Sequence, residues 1–256
     1  MRVTVCQFDN RSEVIEDSWR QLAEYLSSVD TDFLLMPEMP FHDWLAASNK
    51  PSVKAWHKGM AAHNARIARL TELGVPAVMF TRPQIVNSSL RNMATLWTEG
   101  EGTTEFHSKW NLPDEESYWE ATWYDRGDPT FDLARIGTTR IGVQICTEMW
   151  FFEHARAYSK TGAHLLCVPR ATPHGSVGKW LAGGQAAAVV SGCFCFSSNL
   201  YNPPGTEADI GGLSWVVDPE GNILAQTSVD EPYATVDIDL KEAEVAKATY
   251  PRYVPD

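Results

Sequence analysis

The chain lacks any run of about 18 apolar residues, the minimum for a membrane-crossing helix, although 44% of its 256 residues are hydrophobic. Clustered basic residues are missing too: 21 Lys and Arg face 33 Asp and Glu, a formal net charge of -12. A nucleic-acid partner needs a basic phosphate-binding face, so none is expected. Cysteine is scarce and odd in number. Cys6, Cys146, Cys167, Cys193 and Cys195 lie in apolar segments, which suits a reducing compartment better than a disulfide framework. Cys193 and Cys195 stand two apart on a predicted strand, without a second pair at zinc-type spacing, and the His residues show no ligand spacing; no metal is expected. No linker, repeat or low-complexity tract divides the sequence, and Met1-Arg2-Val3-Thr4-Val5-Cys6 enters a strand without signal-peptide architecture. One domain over 1–256, in the cytoplasm and away from membranes, is the expectation.

What is present is an alternation of strand and helix signals. Strands are predicted at Val3–Phe8, Phe33–Met36, Ala77–Thr81, His164–Val168, Cys193–Ser197 and Tyr233–Ile238, with helices at Glu13–Ser28, Val53–Leu73, Phe152–Lys160 and Lys179–Ser191. Gly74 followed by Pro76 reads as a helix stop. Hairpins are predicted around Glu99-Gly100-Glu101-Gly102 and around Asp218-Pro219-Glu220-Gly221-Asn222. Ten tryptophans among 11% aromatics supply a sizeable core. The pattern predicts an α/β fold in which a mixed sheet, or two stacked sheets, is layered by helices.

Cys146 ends the apolar run Arg140-Ile141-Gly142-Val143-Gln144-Ile145 and precedes a helix. A lone cysteine there is more often plain core. At a strand-to-helix turn, however, a helix N-terminus is expected to lower the thiol pKa. Glu38 follows a strand in Leu35-Met36-Pro37-Glu38-Met39-Pro40, and Lys109 follows the strand ending at Ser108. A capping Glu and a solvated Lys are the bland readings of each alone. Together, thiol, carboxylate and ammonium at three strand ends make a coherent set for acyl transfer: nucleophile, proton shuttle and oxyanion partner. The Thr147 amide is a second candidate oxyanion donor. Glu120 sits among Tyr118, Trp119, Trp123 and Tyr124, unusual company for a surface charge.

The chain resembles the nitrilase (carbon-nitrogen hydrolase) superfamily over nearly its whole length. The matching stretches are Cys6-Gln7, Leu35-Met36-Pro37-Glu38, Lys109, Ile141-Gly142-Val143-Gln144-Ile145-Cys146 with Glu153, and Gly211-Gly212-Leu213-Ser214-Trp215-Val216-Val217-Asp218-Pro219-Glu220-Gly221. The resemblance implies a four-layer α-β-β-α sandwich of two stacked mixed sheets and a catalytic triad of Glu38, Lys109 and Cys146. Lys109-Trp110-Asn111-Leu112-Pro113-Asp114 with Tyr118-Trp119-Glu120 is similar to the N-carbamoylputrescine amidase pattern, which implies a second glutamate at Glu120; Glu115 and Glu116 compete for that place. Cys146-Thr147-Glu148 differs from the Cys-Trp-Glu usual in nitrilases, and Met149 and Trp150 stand where carbamoylases of N-carbamoyl amino acids carry two arginines. Substrate contacts are expected from Thr147, Trp150 and Arg170, the last at a strand end, where it would either clamp a substrate carboxylate or neutralise Glu148 or another acidic neighbour. The implied activity is hydrolysis of a small linear amide or N-carbamoyl amine through a thioester, with nitrile hydrolysis or a silent binding protein as alternatives. No cofactor is implied, and the implied assembly is a homodimer or larger homo-oligomer.

Overall fold

A computed structural model describes residues 1–206 and 208–255. The chain starts with strand β1 (Arg2–Phe8), helix α1 (Ile15–Ser28), β2 (Phe33–Leu35) and α2 (Val53–Ile67). It continues through β3 (Ala77–Val86), β4 (Ser89–Thr98), β5 (Gly102–Ser108) and the single turn α3 (Glu120–Trp123). Then follow β6 (Ala134–Ile136), β7 (Thr139–Val143), α4 (Phe152–Lys160), β8 (Leu165–Arg170), α5 (Val177–Ser191) and β9 (Phe194–Leu200). The end is β10 (Trp215–Val217), β11 (Ile223–Gln226), β12 (Tyr233–Asp237) and α6 (Leu240–Ala246).

Strand pairing runs β5-β4-β3-β2-β1-β9-β8-β7-β6, a single mixed sheet flanked by helices. Two stacked mixed sheets were the expectation drawn from the resemblance. They are joined because β12 pairs β1 only over Arg2–Cys6, which leaves Gln7 and Phe8 to pair with Asn199 and Leu200 of β9. β1 to β3 and β7 to β9 are parallel neighbours buried on both faces, so they read as continuous apolar runs. Successive side chains still alternate. Val3, Val5, Phe33, Leu35, Ala77 and Met79 join β7 to β10 residues such as Ile141 and Phe196 in one core, while Cys6, Phe8, Leu34, Met36, Val78 and Phe80 pack with Trp19, Leu22 and Leu26 of α1 in another.

Three departures from expectation have local causes. The long helix predicted to Leu73 stops at Ile67. A tighter turn over Leu70–Leu73 then points both buried leucines toward α1, and Gly74 ends it at a φ of 65°. β3 extends to Val86 through Pro83, because β2 pairs it only as far as Met79, and it turns into β4 at Asn87 and Ser88, both at positive φ. Helix α6, capped by Asp239 accepting from the Lys241 amide, had no counterpart in the sequence reading. Among the described residues no helix is long and apolar enough to cross a membrane.

Candidate active site

Parallel strands direct their C-terminal ends to one edge of the sheet, and the loops there carry the charged residues. Glu38 lies just beyond β2, where the Met36 amide still bonds Met79 O and Met39 turns back at a φ of 43°, its amide donating to Thr81 Oγ1 at 3.0 Å. The Glu38 Oε1 atom accepts from Lys109 Nζ at 2.7 Å and from Asn92 Nδ2 at 2.7 Å. Lys109, one residue past β5, is fixed by its amide on Asn92 O at 2.9 Å, and its ammonium also reaches Glu120 Oε2 at 2.6 Å. The Tyr124 hydroxyl donates to that same oxygen. Glu38, Lys109 and Glu120 are completely buried, and among the described residues Glu38 Oε2 and Glu120 Oε1 have no hydrogen-bond partner. Of the competing glutamates, Glu120 is the one that touches Lys109; Glu115 and Glu116 are exposed.

Cys146 opens a short turn of helix, Cys146–Trp150, at a φ of 49°, a left-handed backbone that few L-residues adopt. Buried groups hold this elbow against the strain. Glu148 Oε2 accepts the Ile145 amide at 2.7 Å, Glu148 Oε1 accepts the Trp110 amide at 2.7 Å, and His107 Nε2 sits 2.9 Å from the same carboxylate. Gln144 Nε2 donates to Glu148 O at 2.8 Å. One carboxylate thus ties the residue before Cys146 to the residue after Lys109. Gly142, in the strand leading to the elbow, has to be glycine: a Cβ there would meet the Tyr158 ring at 2.7 Å.

Sequence reasoning missed Asn92, Tyr124 and the His107–Glu148 pair. The available signal for the pair was its position: His107 lies two residues before Lys109 and Glu148 two after Cys146, each a polar residue in an otherwise apolar stretch.

Burial pushes the Cys146 thiol well up, and the Glu38 and Glu120 carboxylates add to that, opposed by Lys109 and by the hydrogen bond to Ala171 O. The expected depression by a helix start is therefore overturned. The helix proper begins only at Phe152, and the thiol, 3% exposed, faces carboxylates instead. Burial also lifts Glu120, to about 7, with Glu38 raising it further and Lys109 pulling it down. Burial would discharge Lys109, but the two carboxylates outweigh it and keep the ammonium protonated.

Cys146, Glu120, Thr147 and Trp150 line a cavity of about 230 Å³. Arg170 does not. Its Nε donates to Ser197 Oγ at 2.6 Å, Nη1 to Thr172 Oγ1 at 2.7 Å and Nη2 to Leu213 O at 2.6 Å, and its guanidinium lies 4.1 Å over the Trp215 ring. Fully buried, and paired with no carboxylate among the described residues, it has its pKa lowered by burial to about 9. The geometry replaces both expectations for Arg170, the substrate clamp and the neutraliser of Glu148 or another acidic neighbour, with that of a brace behind the cavity wall. Among the described residues no group of three His, Cys, Asp or Glu is placed to hold a metal.

The likeness to known proteins is broad but distant. The chain is 27% identical over 184 residues to a glutamine-dependent NAD(+) synthetase of Xanthomonas campestris, aligning over 68% of its own length but only 32% of the relative's. It is 23% identical to a 2-oxoglutaramate amidase of Paenarthrobacter nicotinovorans, covering 96% of this chain and 85% of that one. Among solved structures, a variant of the amidase from Nesterenkonia sp. AN1, with the acetamide moiety of fluoroacetamide added covalently to its active-site cysteine, superposes with a TM-score of 0.77 at 22% identity, over 95% of this chain and 92% of that one. The sequence model described as carbon-nitrogen hydrolase matches residues 2–248. This chain belongs to the carbon-nitrogen hydrolase family of the nitrilase superfamily.

Proposed function

We propose that the protein is an amidase that hydrolyses a small linear amide or N-carbamoyl amine through a thioester on Cys146. The observation that carries this reading is the Lys109 ammonium held between Glu38 and Glu120, all three acting on a buried thiol that lines a cavity. The amidase names among the relatives, and the covalent acetamide on the cysteine of the Nesterenkonia protein, support it.

On this reading Glu38 takes the Cys146 proton as the sulfur attacks the carbonyl carbon, and Lys109 with the Thr147 amide stabilises the resulting oxyanion. Glu38 returns the proton to the departing nitrogen, the C–N bond breaks, and ammonia or an amine leaves. A water aligned by Glu38 and Glu120 gives one proton to Glu38 and adds to the thioester carbon; the C–S bond then breaks and the thiol recovers its proton. Tyr118 and Trp150 form part of the substrate's surroundings. We also read the two halves of the sheet as stacked layers between outer helices, because their inner side chains share one core. A homodimer or larger assembly is proposed, for which exposed Val245, Tyr250 and Tyr253 supply apolar surface.

The test is ammonia release from paired small amides, ureas and nitriles, with mass spectrometry for an acyl group on Cys146. Cys146→Ala is expected to abolish turnover and the adduct; full activity in that variant refutes the reading, and faster release from nitriles than from their amides would make the protein a nitrilase.

A further inference from the structure

The charges around the cavity suggest what its substrate carries besides the scissile bond. Three residues lining it bear a formal charge: Glu115, Glu120 and Lys179. Glu120 is committed, completely buried on Lys109 and Tyr124. Glu115 and Lys179 are different. Both are exposed at the rim, and among the described residues neither forms an ion pair, so both charges stay available to a substrate.

They also come from separate, well-fixed segments. Glu115 is held by a tight turn in which the Tyr118 amide donates to Glu115 O at 2.8 Å, and Lys179 lies in the first turn of α5. Beside Lys179 the Trp150 and Trp180 rings, 4.8 Å apart, give the cavity an apolar wall. One free cation and one free anion flank an aromatic wall, with the nucleophile beyond. Arg170, the other cation of this region, is used up inside the protein.

We infer that the substrate is a zwitterion, the ω-amide or ω-ureide of a short α-amino acid. Its carboxylate pairs with Lys179, its ammonium with Glu115, its methylenes lie against Trp150 and Trp180, and its terminal carbonyl reaches Cys146. An anion alone would meet the repulsion of Glu115 and a cation alone that of Lys179, so the two rim charges select for both groups together. This rests on the amidase reading of the same cavity.

Four compounds with one reactive carboxamide separate the contributions: butyramide (neutral), glutaramate (anionic), 4-aminobutyramide (cationic) and L-glutamine (both). Rim charges are partly solvated, so each is expected to be worth roughly three- to tenfold in kcat/KM. Glutamine should be the best of the four. Lys179→Met should weaken glutamine and glutaramate by that factor and leave butyramide unchanged, whereas Glu115→Gln should weaken glutamine and 4-aminobutyramide but improve glutaramate. Equal effects on all four compounds, or none, overturn the inference. Protection of Cys146 from iodoacetamide by the same compounds reads binding separately from turnover. Charge-ordered protection without hydrolysis would sink the amidase reading and keep this one; hydrolysis with protection indifferent to charge would do the reverse.

Discussion

Replacing Glu148 with Gln tests whether a buried carboxylate holds the nucleophile's elbow to the lysine's strand. The change is nearly isosteric, so packing is preserved while the hydrogen-bond roles are not. In the parent, Oε1 accepts the Trp110 amide and Oε2 the Ile145 amide, both at 2.7 Å. A glutamine has only one oxygen, so whichever way the amide turns, an –NH2 group meets a backbone N–H. His107 loses as well. Its Nδ1 is 2.9 Å from Thr130 O and its Nε2 2.9 Å from Glu148, so both ring nitrogens face acceptors, the arrangement of an imidazolium.

Breaking such a buried pair from one side costs about 3–5 kcal/mol, and in a chain of this size about 1 kcal/mol lowers Tm by roughly 2–4 °C. E148Q should therefore melt at least about 6 °C lower. Loosening the elbow misplaces Cys146, so kcat should fall by about tenfold or more with KM little changed. The pH dependence gives a second readout. Burial alone would lower the His107 pKa, but Glu148 overcomes this and holds it above its unfolded value. The stabilisation is then complete below the unfolded pKa of about 6.5 and is lost as pH rises through the higher folded value. The parent's Tm should decline across that window, and E148Q should lack this component. A variant melting within about 2 °C of the parent, with full kcat, would refute the reasoning.

Arg170→Met strips donors from Ser197, Thr172 and Leu213 O, so stability should fall by about 1–3 kcal/mol by denaturant titration, and acidic and neutral amides should lose activity in the same proportion. Loss confined to acidic substrates would reinstate Arg170 as a clamp. Because the Cys146 thiol is raised by burial and by Glu38, its alkylation by iodoacetamide should keep climbing with pH past 9; a plateau near pH 7 would mean an ionised resting thiolate.

The sequence made the framework legible where one residue type has one physical use. Buried parallel strands such as Phe33–Leu35 and Leu165–Arg170 announce themselves as Val, Leu and Phe runs, and Gly74 marked the end of a helical stretch, although of the tight turn Leu70–Leu73 and not of α2. Glu38 and Cys146 stood out as candidates because each follows such a run, whereas Lys109 follows the polar, antiparallel strand β5 and stood out through the resemblance. What escaped depended on partners distant in sequence. Asn92 reads as an ordinary strand residue until Glu38 and Lys109 fold against it, and Glu148 looked available to Arg170 because nothing in a linear chain shows His107 already beside it. The thiol pKa was misjudged for the same reason: a helix start is visible locally, whereas the carboxylates that oppose it arrive from 108 and 26 residues away (146 minus 38, and 146 minus 120).

The buried charges also constrain the order of events on the proposed reading. Glu38 and Glu120 share one ammonium, Lys109, in a space without exposed surface. Two ionised carboxylates with one cation leave a net negative charge where low dielectric makes it costly, and Glu120 responds by holding a proton up to about 7. A thiolate beside them would add a second uncompensated negative charge, which is why the thiol is raised rather than lowered. On that reading the resting sulfur keeps its proton, and the proton is passed on as the new C–S bond forms. The group to receive it needs a free lone pair, and Glu38 Oε2 has one, buried and unpartnered, while Oε1 stays fixed by Lys109 and Asn92. Glu120 keeps the matching free atom, Oε1, on the residue that lines the cavity, where a hydrolytic water has to enter. The two unsatisfied oxygens, which would be defects in an inert core, are the places where this cluster can take up and release a proton.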